Sequence, residues 1–496
     1  MIAVTAAARG FGYVREAVIA AAFGASREVD LFLAALTIPA LIMATVYYSI
    51  PNSFIPLWAD SARPRRFVHR AAGTVLAVSL IATILTGVLA EPLMRILAGG
   101  FSLTHQSQAA ALLRIASGAI FFATVEAILR SRLLAAKAFG LPSLSYVWQG
   151  LGIIVGIVGW REHGAYAMIW GFLAGTAAAA GWNALILIGG TSTMTGATAP
   201  LPGARAGTNV WLWISVVFLA DSLAQFYGLV DRRLGSYLEP GTIAALNYAS
   251  LVASLPSAII GVALSTAIFP FLSDAVAGNE TDRARAIIDR AVSWSLVFGI
   301  PCAVWLIAFR GEITGLLFQR GAFDSRAQEV TSSVLAALAL GIVPATLAVV
   351  WARMIYAARR WAFLLTAAVL ALVIKTLCSI WWVSVWGLVG LAFATVTAHV
   401  VAAAFIAWKQ RENLQGSVRG WTTLAFKTSV LVGIPSLVTL GVLSTWDPGS
   451  PAERLVVSAF GILAGASSLL VIGTRWGIDQ MNEIRDAMKS AVRGVD

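Results

Sequence analysis

The feature that most constrains this chain is a succession of apolar runs, each long enough to cross a lipid bilayer. A helix needs about 20 apolar residues to span roughly 30 Å of hydrocarbon. The 496 residues are 59% hydrophobic and only 12% charged, with a mean hydropathy of +0.82. A soluble core of this size could not bury so much apolar surface. The sequence therefore indicates an all-α polytopic membrane protein.

The apolar runs form two series, separated by a Gly/Pro/Thr-rich segment at residues 189–209. Six runs precede this break and eight follow it, which predicts 14 transmembrane helices. The predicted spans are 2–24, 30–57, 71–92, 107–130, 143–160, 164–189, 210–233, 242–272, 287–309, 328–352, 361–382, 387–408, 423–444 and 454–474.

Two pairs of motifs repeat across the central break. SFIPLWADSA (Ser53 to Ala62) closes helix 2 and AIFPFLSDAV (Ala267 to Val276) closes helix 8, while Phe101 parallels Phe323 in a second pair. A repeat of six helices in the same orientation predicts two six-helix lobes that hold a substrate between them near the membrane midplane. The predicted domains are an N-lobe over 1–190, a cytoplasmic linker over 191–208, a C-lobe over 209–409, and helices 13 and 14 with a cytoplasmic tail over 410–496.

Arg and Lys are unevenly distributed between alternate loops. If the N-terminus is cytoplasmic, the predicted inner loops hold 17 of these residues and the outer loops seven. The positive-inside rule then places both termini in the cytoplasm. The inner-loop cations, to which the prediction assigns Arg130 and Arg132, are expected to bind anionic phospholipids. The net charge of +11 is thus interpreted as a topology signal, with no nucleic-acid partner.

Neither a secretion signal nor an enzyme site is expected. The first residues lack a cationic leader and a convincing cleavage site, so they are interpreted as part of the mature first helix. The four His and two Cys have no metal-ligand spacing, and no Walker A motif is present. The sequence therefore predicts no catalytic residue, no metal and no cofactor.

Ionisable residues inside the predicted spans are the best functional candidates. Each costs roughly 2.5 to 3.5 kcal/mol at the bilayer centre unless it faces water or a partner. Lys375 interrupts an apolar run and needs a hydrated cavity or a carboxylate, either Asp221 or Asp231. Asp231 could instead form a local ion pair with the arginines that follow it. The full set is Arg9, Arg15, Glu16, Arg114, Glu126, Asp221, Asp231, Arg232, Arg233 and Lys375, with His399 as a neutral donor.

Three stretches of the chain resemble the MurJ (MviN) family of lipid II flippases, within the MOP exporter superfamily. The first is ARGFGYVREAVIAAAFGASREVDLFLAALTIPA (Ala8 to Ala40), and the others run from Ser254 to Gly278 and from Leu316 to Pro344. In the first stretch the family pattern falls on Arg9, Gly12, Arg15, Glu16, Phe23, Gly24 and Asp30. The resemblance covers about 350 residues in register, and helices 13 and 14 match by hydropathy only.

The resemblance implies a flippase that moves an undecaprenyl-pyrophosphate-linked glycan across the bacterial cytoplasmic membrane by alternating access. By this analogy Arg9 and Arg15 bind the pyrophosphate, and we predict Lys375 as a third cation from its place in an apolar run. Guanidinium groups suit phosphate oxygens because they donate in pairs and stay charged when desolvated. Gly12, Glu16 and Asp30 are assigned to the cavity and to helix packing. Coupling to the membrane potential, to Na⁺ or to H⁺ stays open, as does contact with glycan-assembly proteins.

Departures from the family pattern bear on the cargo and on the ion. Met43 and Ala44 stand where the family has an Arg pair on helix 2, and Leu251 stands where it has an Arg on helix 8. These changes leave two cargoes open: lipid II and a surface or exopolysaccharide intermediate, the latter slightly favoured. Sodium-binding members use an Asp near the end of helix 7, which Asp231 matches. Helix 11 offers no carboxylate, and Lys375 is predicted to take the place of the ion.

Two other functions stay open from the sequence. The first is a cation-coupled exporter of small drugs on the same scaffold, although the cationic first helix argues against it. The second is a scaffold protein of an envelope-synthesis complex that transports nothing.

Overall fold

The computed structural model describes residues 2–59, 64–138, 140–190, 223, 225–357, 361–409, 417–446 and 450–493. Over these residues the chain is helical and contains no strand. The helices are α1 Ile2–Phe23, α2 Arg27–Ala59, α3 Arg65–Val88, α4 Ala90–Leu97, α5 Leu103–Ala135, α6 Gly140–Ser143, α7 Ser145–Trp160, α8 Ala165–Gly190, α9 225–235, α10 Thr242–Ala277, α11 Thr281–Ala308, α12 Arg310–Phe318, α13 Ser325–Ala339, α14 Ile342–Ala357, α15 Trp361–Lys409, α16 Ser417–Trp446, α17 Pro451–Arg475 and α18 Asp479–Arg493.

The predicted class, an all-α polytopic membrane protein, is confirmed. Among the described residues, ten helices are long and apolar enough to cross a membrane, or eleven if the bent pair α13 and α14 is one span. Predicted helices 11 and 12 both lie in α15, where the backbone leaves the helical conformation at Gly387 (φ 55°, ψ −131°). The count of fourteen stays a prediction. Predicted helix 7 spans 210–233, and only its last part, from residue 225, lies in a described helix.

Helix α3 shows the surface expected of a lipid-facing helix. Its apolar side chains Ile81, Ile84, Leu85 and Val88 are all more than half exposed. A soluble protein would bury such a row, whereas lipid tails accept it.

The chain divides into two compact units. Unit 1 comprises Met1–Ala245 together with Phe318–Ala327, and unit 2 comprises Leu246–Leu317 with Gln328–Asp496. The predicted lobe boundaries, with a linker over 191–208, stay a prediction.

In unit 1, α7 and α8 pack with their backbones in contact. A Cβ added at Gly152 would overlap the carbonyl oxygen of Gly171, and one added at Gly175 would overlap that of Trp148. Gly156 meets α8 in the same way at the Ala167 carbonyl. Small residues four apart on each helix allow this close approach, which is a common interface in membranes, where the hydrophobic effect does not drive helices together.

In unit 2, the main core lies between the end of α10, α11, α14 and the two ends of α15. Its buried members include Leu272, Ile288, Trp351 and Ile406. The amphipathic helix α18 covers a second cluster of α11, α16 and α17 residues with Met481. An ion pair of 2.7 Å between Arg290 Nη2 and Glu483 Oε2 adds to this contact.

Candidate functional site

The charged pair on α1 is formed by neighbouring residues. Arg15 donates to Glu16 Oε1 through Nη2 at 2.5 Å and through Nε at 3.0 Å. The Glu16 carboxylate is buried, whereas 27% of the Arg15 side chain is exposed. The buried acid thus pairs with a cation whose side chain is partly exposed, as a ligand-binding cation in a membrane requires.

Around this pair, α1 packs closely on α7. A Cβ added at Gly150 would lie 3.0 Å from Cε1 of Phe11 and 3.7 Å from Cβ of Arg15. At Gly12, by contrast, an added Cβ would meet no atom of the described chain within 4 Å. The close contact of α1 is therefore made at the glycine of α7 and not at Gly12, whose predicted packing role finds no partner among the described residues.

Two predicted site residues cannot be placed. The Arg9 side chain is not among those described, although its backbone belongs to α1. Asp221 lies outside the described residues. Their predicted roles stay predictions.

One arginine of α9 is under the electrostatic influence of three acidic residues of the predicted site. Arg232 interacts electrostatically with Asp231 beside it, with Asp30 of α2 and with Glu16 of α1. The sequence placed these acids on helices 1, 2 and 7 without indicating that they share a cation. Since all four residues belong to unit 1, this unit contains a connected network of charges that includes Arg15.

Asp30 also fixes the beginning of α10. Its Oδ2 accepts from Gly241 N at 2.7 Å and its Oδ1 from Ala244 N at 2.9 Å, and the side chain is 1% exposed. Gly241 has φ +86°, and a Cβ there would overlap the Ala25 carbonyl oxygen. A carboxylate at a helix N-terminus satisfies free N–H groups and complements the helix dipole. Asp30 is thus a buried cap supplied from another helix.

Two further glycine turns lie at the same end of α1. Gly24 (φ +64°) leaves no room for a Cβ against the Ala322 carbonyl, and Gly321 (φ +59°) leaves none against that of Ala21. Ala322 N donates to Ala21 O at 2.9 Å, which joins the two turns by their backbones. The Phe23-Gly24 pair therefore reflects close backbone packing within unit 1.

A second buried polar cluster of unit 1 lies on α5, α7 and α8. Glu126 Oε1 accepts from Ser145 Oγ at 2.7 Å and from Asn183 Nδ2 at 3.1 Å, and Arg130 Nε lies 3.6 Å from the same oxygen. The assignment of Arg130 to an inner loop is wrong, because this residue is 4% exposed within α5. The spacing of Glu126 and Arg130 by four residues, one helical turn, is the sequence signal that could have indicated the pair.

In unit 2, Lys375 is fully buried on α15. Its Nζ donates to Thr395 Oγ1 at 2.6 Å, across the break at Gly387 that separates predicted helices 11 and 12. An ammonium with no exposed surface is better suited to an internal charge than to direct contact with a pyrophosphate. Contact of Lys375 with Asp231 or Asp221 stays a prediction.

The positions that depart from the family pattern are buried or half-buried. Met43 is 4% exposed, and Ala44 and Leu251 are half-buried. These positions therefore add no cation, and the described cationic candidates remain Arg15 in unit 1 and Lys375 in unit 2.

Comparisons with known proteins indicate one family for this chain. The family model of the lipid II flippase MurJ matches residues 19–460. A relative from Burkholderia cenocepacia with the name lipid II flippase MurJ is 24% identical, and the match covers 95% of each chain.

Solved structures agree on the fold. A lipid II flippase MurJ in an inward closed conformation superposes with a TM-score of 0.77 at 21% identity, covering 95% of this chain and 98% of that one. An inward-facing multidrug resistance MATE family transporter of the MOP superfamily gives a TM-score of 0.64 at 16% identity, over 82% of this chain and 95% of its own.

Proposed function

The chain belongs to the lipid II flippase MurJ family, and on that premise we propose that it moves a lipid-linked glycan precursor across the bacterial cytoplasmic membrane by alternating access. The observation that carries this proposal is the family match over residues 19–460, which includes most of the predicted spans. The protein acts as a transporter and forms no covalent bond with its cargo.

Arg15 is the residue to which we assign the pyrophosphate. Its guanidinium is paired with the buried Glu16 carboxylate, and 27% of the Arg15 side chain is exposed. A paired guanidinium can donate further hydrogen bonds to phosphate oxygens, and the pairing offsets the cost of keeping the charge in the membrane. Arg9, two helical turns before Glu16, is proposed as a second phosphate ligand on the same helix.

For Lys375 we propose the internal role. Its hydrogen bond to Thr395 links the two halves of α15 through a fixed positive charge. A fixed ammonium at this place would remove the need for a bound cation there. A direct contact of Lys375 with the pyrophosphate requires a conformation in which the side chain becomes exposed.

The cargo is proposed from the relatives and from the departures together. The curated relatives have the name lipid II flippase, so a peptidoglycan precursor is the first candidate. The apolar residues Met43, Ala44 and Leu251 reduce the cationic character expected of the family cavity, and they favour a surface-glycan intermediate as the second candidate.

The family match favours the flippase over the two other functions that the sequence left open. The likeness to MATE transporters concerns the fold, at 16% identity. A scaffold that transports nothing would not require the charge on α1, and this difference can be measured with Arg15.

Orientation and partners are proposed from the loop charges. Both termini are placed in the cytoplasm, and the basic inner loops are expected to contact anionic phospholipids. Glycan-assembly proteins are proposed as transient partners that deliver or receive the lipid-linked glycan.

Complementation tests the function and the cargo. A strain depleted of its peptidoglycan flippase and a strain lacking a surface-glycan flippase each receive the wild-type chain. Rescue of one strain identifies the cargo class. Rescue of neither, together with no binding of purified lipid II or of the surface-glycan lipid, would refute the proposal.

In the rescued strain, Arg15→Ala is expected to abolish growth or glycan export, since it removes the phosphate ligand. Arg15→Lys should weaken rescue by more than about tenfold, the effect of 1.4 kcal/mol of lost binding free energy, because an ammonium cannot donate as a planar fork. Arg114→Ala is the matched control, as Arg114 forms an exposed pair with Glu91 at 2.6 Å. Full activity of Arg15→Ala at normal expression contradicts the assignment.

A further inference from the structure

The Glu126 cluster is a buried polar group that the proposed transport site does not use. Glu126 and Arg130 lie one turn apart on α5, and they meet Ser145 of α7 and Asn183 of α8. All four residues are less than 5% exposed. Uncompensated polar groups at this depth are costly in a membrane protein, so each atom of the cluster should have a partner.

The two carboxylate oxygens of Glu126 have unequal surroundings. Oε1 accepts from Ser145 and Asn183 and faces Arg130, whereas Oε2 is buried with no hydrogen-bond partner among the described residues. An ionised carboxylate accepts at both oxygens and donates from neither. The surroundings therefore satisfy only one side of the charged form.

Asn183 likewise has one side-chain atom without a hydrogen-bond partner among the described residues. Its Nδ2 donates to Glu126 Oε1 at 3.1 Å, and its Oδ1 is buried without a hydrogen-bond partner in the described chain. When a carboxyl and a carboxamide share one such bond, the atoms left for a second bond are Oε2 and Oδ1. Two acceptors cannot bond each other, but a proton on Oε2 turns it into a donor for Oδ1. Protonation of Oε2 would supply the donor that both unpartnered oxygens lack.

The charge of Arg130 is also stabilised by groups other than Glu126. Its Nε approaches Oε1 to 3.6 Å without forming a hydrogen bond. The guanidinium carbon lies 4.7 Å from the ring centroid of Tyr146 and 5.4 Å from that of Tyr47. Contacts of a cation with two aromatic faces stabilise its charge whether the carboxyl is ionised or neutral.

The groups that face Glu126 are accounted for helix by helix. Among the described residues they are Arg130 on its own helix, Tyr47 on α2, Ser145 on α7 and Asn183 on α8, while Tyr146 of α7 lies against Arg130. Arg130 is the charged member of this set, and the phenols, hydroxyl and amide are neutral. Proton uptake at Glu126 would therefore leave one cation in a neutral cluster.

We propose that Glu126 is a proton-binding site of unit 1, at which uptake of H⁺ removes the charge attraction to Arg130 and adds a second hydrogen bond, from Oε2, to Asn183. The step takes one proton from water and changes no other bond: a carboxylate becomes a carboxylic acid, and its new O–H donates to the amide oxygen. No redox change or further reactant is involved.

The link of this site to transport rests on the proposed function. Glu126 lies nine residues before the end of α5 at Ala135, about 13 Å along the helix axis. The cluster connects α5 to α7 and α8, so a second hydrogen bond from Glu126 to Asn183 strengthens the contact between α5 and α8. A proton bound on one side and released on the other could then drive the return of the empty transporter.

Infrared difference spectroscopy tests the proton site without any glycan. Purified wild-type protein in lipid is compared in acidic and alkaline buffer, and the carbonyl stretch of a protonated buried carboxyl should rise on acidification. Glu126→Gln should remove this band, because the amide mimics the protonated form and donates to Asn183. Glu91→Gln is the matched control at an exposed glutamate and should leave the band. Persistence of the full band in Glu126→Gln overturns the proposal.

Arg130→Gln provides a second readout that keeps the carboxyl. Loss of a neighbouring cation favours the neutral acid, so the titration midpoint of the same band should move to higher pH by about one to three pH units. The variant is expected to fold, since the carboxyl left behind can take up a proton and bond Asn183. An unchanged midpoint refutes the proposed influence of Arg130 on the proton site.

A transport assay separates this proposal from the proposed function. If wild-type protein moves lipid II or the surface-glycan lipid in vesicles, a pH gradient should alter the rate, and Glu126→Gln should abolish that dependence. A proton band without any glycan transport would leave the proton site standing and refute the flippase. Glycan transport by a wild-type protein that shows no such band would refute the proton site and leave the flippase standing.

Discussion

Two buried charged residues of this chain, Glu126 and Lys375, have hydrogen-bond partners that lie far away in the sequence. Glu126 and Lys375 can be recognised from the sequence, because each interrupts an apolar run. Their partners cannot, since Asn183 is 57 residues from Glu126 and Thr395 is 20 residues from Lys375. Which groups meet depends on how the helices pack, and a single sequence carries little information about helix packing.

At the residue scale, Lys375 gives a prediction with a clear reason. Lys375→Met keeps the length of the side chain and removes the charge, so it removes the donor to Thr395 and the fixed cation. If the ammonium takes the place of a coupling ion, complementation should fall by more than about tenfold, corresponding to 1.4 kcal/mol. Rescue is measured at matched expression in the membrane.

Lys427→Met is the control for this substitution. Lys427 belongs to the same unit, and its exposed ammonium donates to the Trp476 carbonyl at 2.5 Å. Replacing it should leave rescue unchanged. Wild-type rescue by Lys375→Met would show that the buried charge is dispensable.

At the scale of elements, helix existence could be predicted much better than helix ends. The spans of helices 2, 5 and 6 agree with α2, α7 and α8 to within a few residues. The end of helix 4 was predicted at 130, whereas α5 continues to Ala135, because Arg130 finds a buried partner within the helix. Hydropathy cannot distinguish such a paired charge from a helix end at the membrane surface.

The cap that joins α2 to the beginning of α10 gives the second prediction. Asp30→Ala leaves two buried backbone N–H groups without acceptors, each costing about 1 to 3 kcal/mol, and it leaves Arg27 without the carboxylate 3.8 Å away. The midpoint of thermal unfolding in detergent should fall clearly. Asp30→Asn keeps one acceptor oxygen, so its unfolding midpoint should fall less than that of Asp30→Ala.

Asp324→Ala serves as the comparison for this cap. Asp324 Oδ1 accepts from Ala327 N at 2.8 Å at the beginning of α13, but the side chain is exposed, so water can replace it. Its loss should cost about 0.5 to 1 kcal/mol, the lower part of the range for helix caps. Equal effects of the two alanine variants would contradict the argument from burial.

For the whole molecule, composition alone was enough to predict the class, because nothing but a membrane accommodates so much exposed apolar surface. The division into units was harder to predict from the sequence. Residues Phe318–Ala327 group with unit 1 although the helices on both sides of them, α12 and α13, group largely with unit 2. The motif repeat around Phe101 and Phe323 indicated that the two segments are related, and both residues are buried. The repeat did not indicate which unit would contain each segment.

Membrane orientation is the prediction that belongs to this scale. A fluorescent protein that folds only in the cytoplasm should be fluorescent when fused after Asp496, and a phosphatase active only outside should be inactive there. A fusion after His163, in a predicted outer loop, should give the opposite pair of results. The reverse pattern at both sites would contradict the assignment from loop charges.

The backbone contact between α7 and α8 has a mechanical consequence. Helices separated by a layer of side chains can slide past one another as rotamers change, which is how shear motions arise. Gly152, Gly156, Gly171 and Gly175 leave no such layer. The two helices therefore move as one rigid body. When the transporter changes conformation, hinge motions must occur elsewhere in the chain.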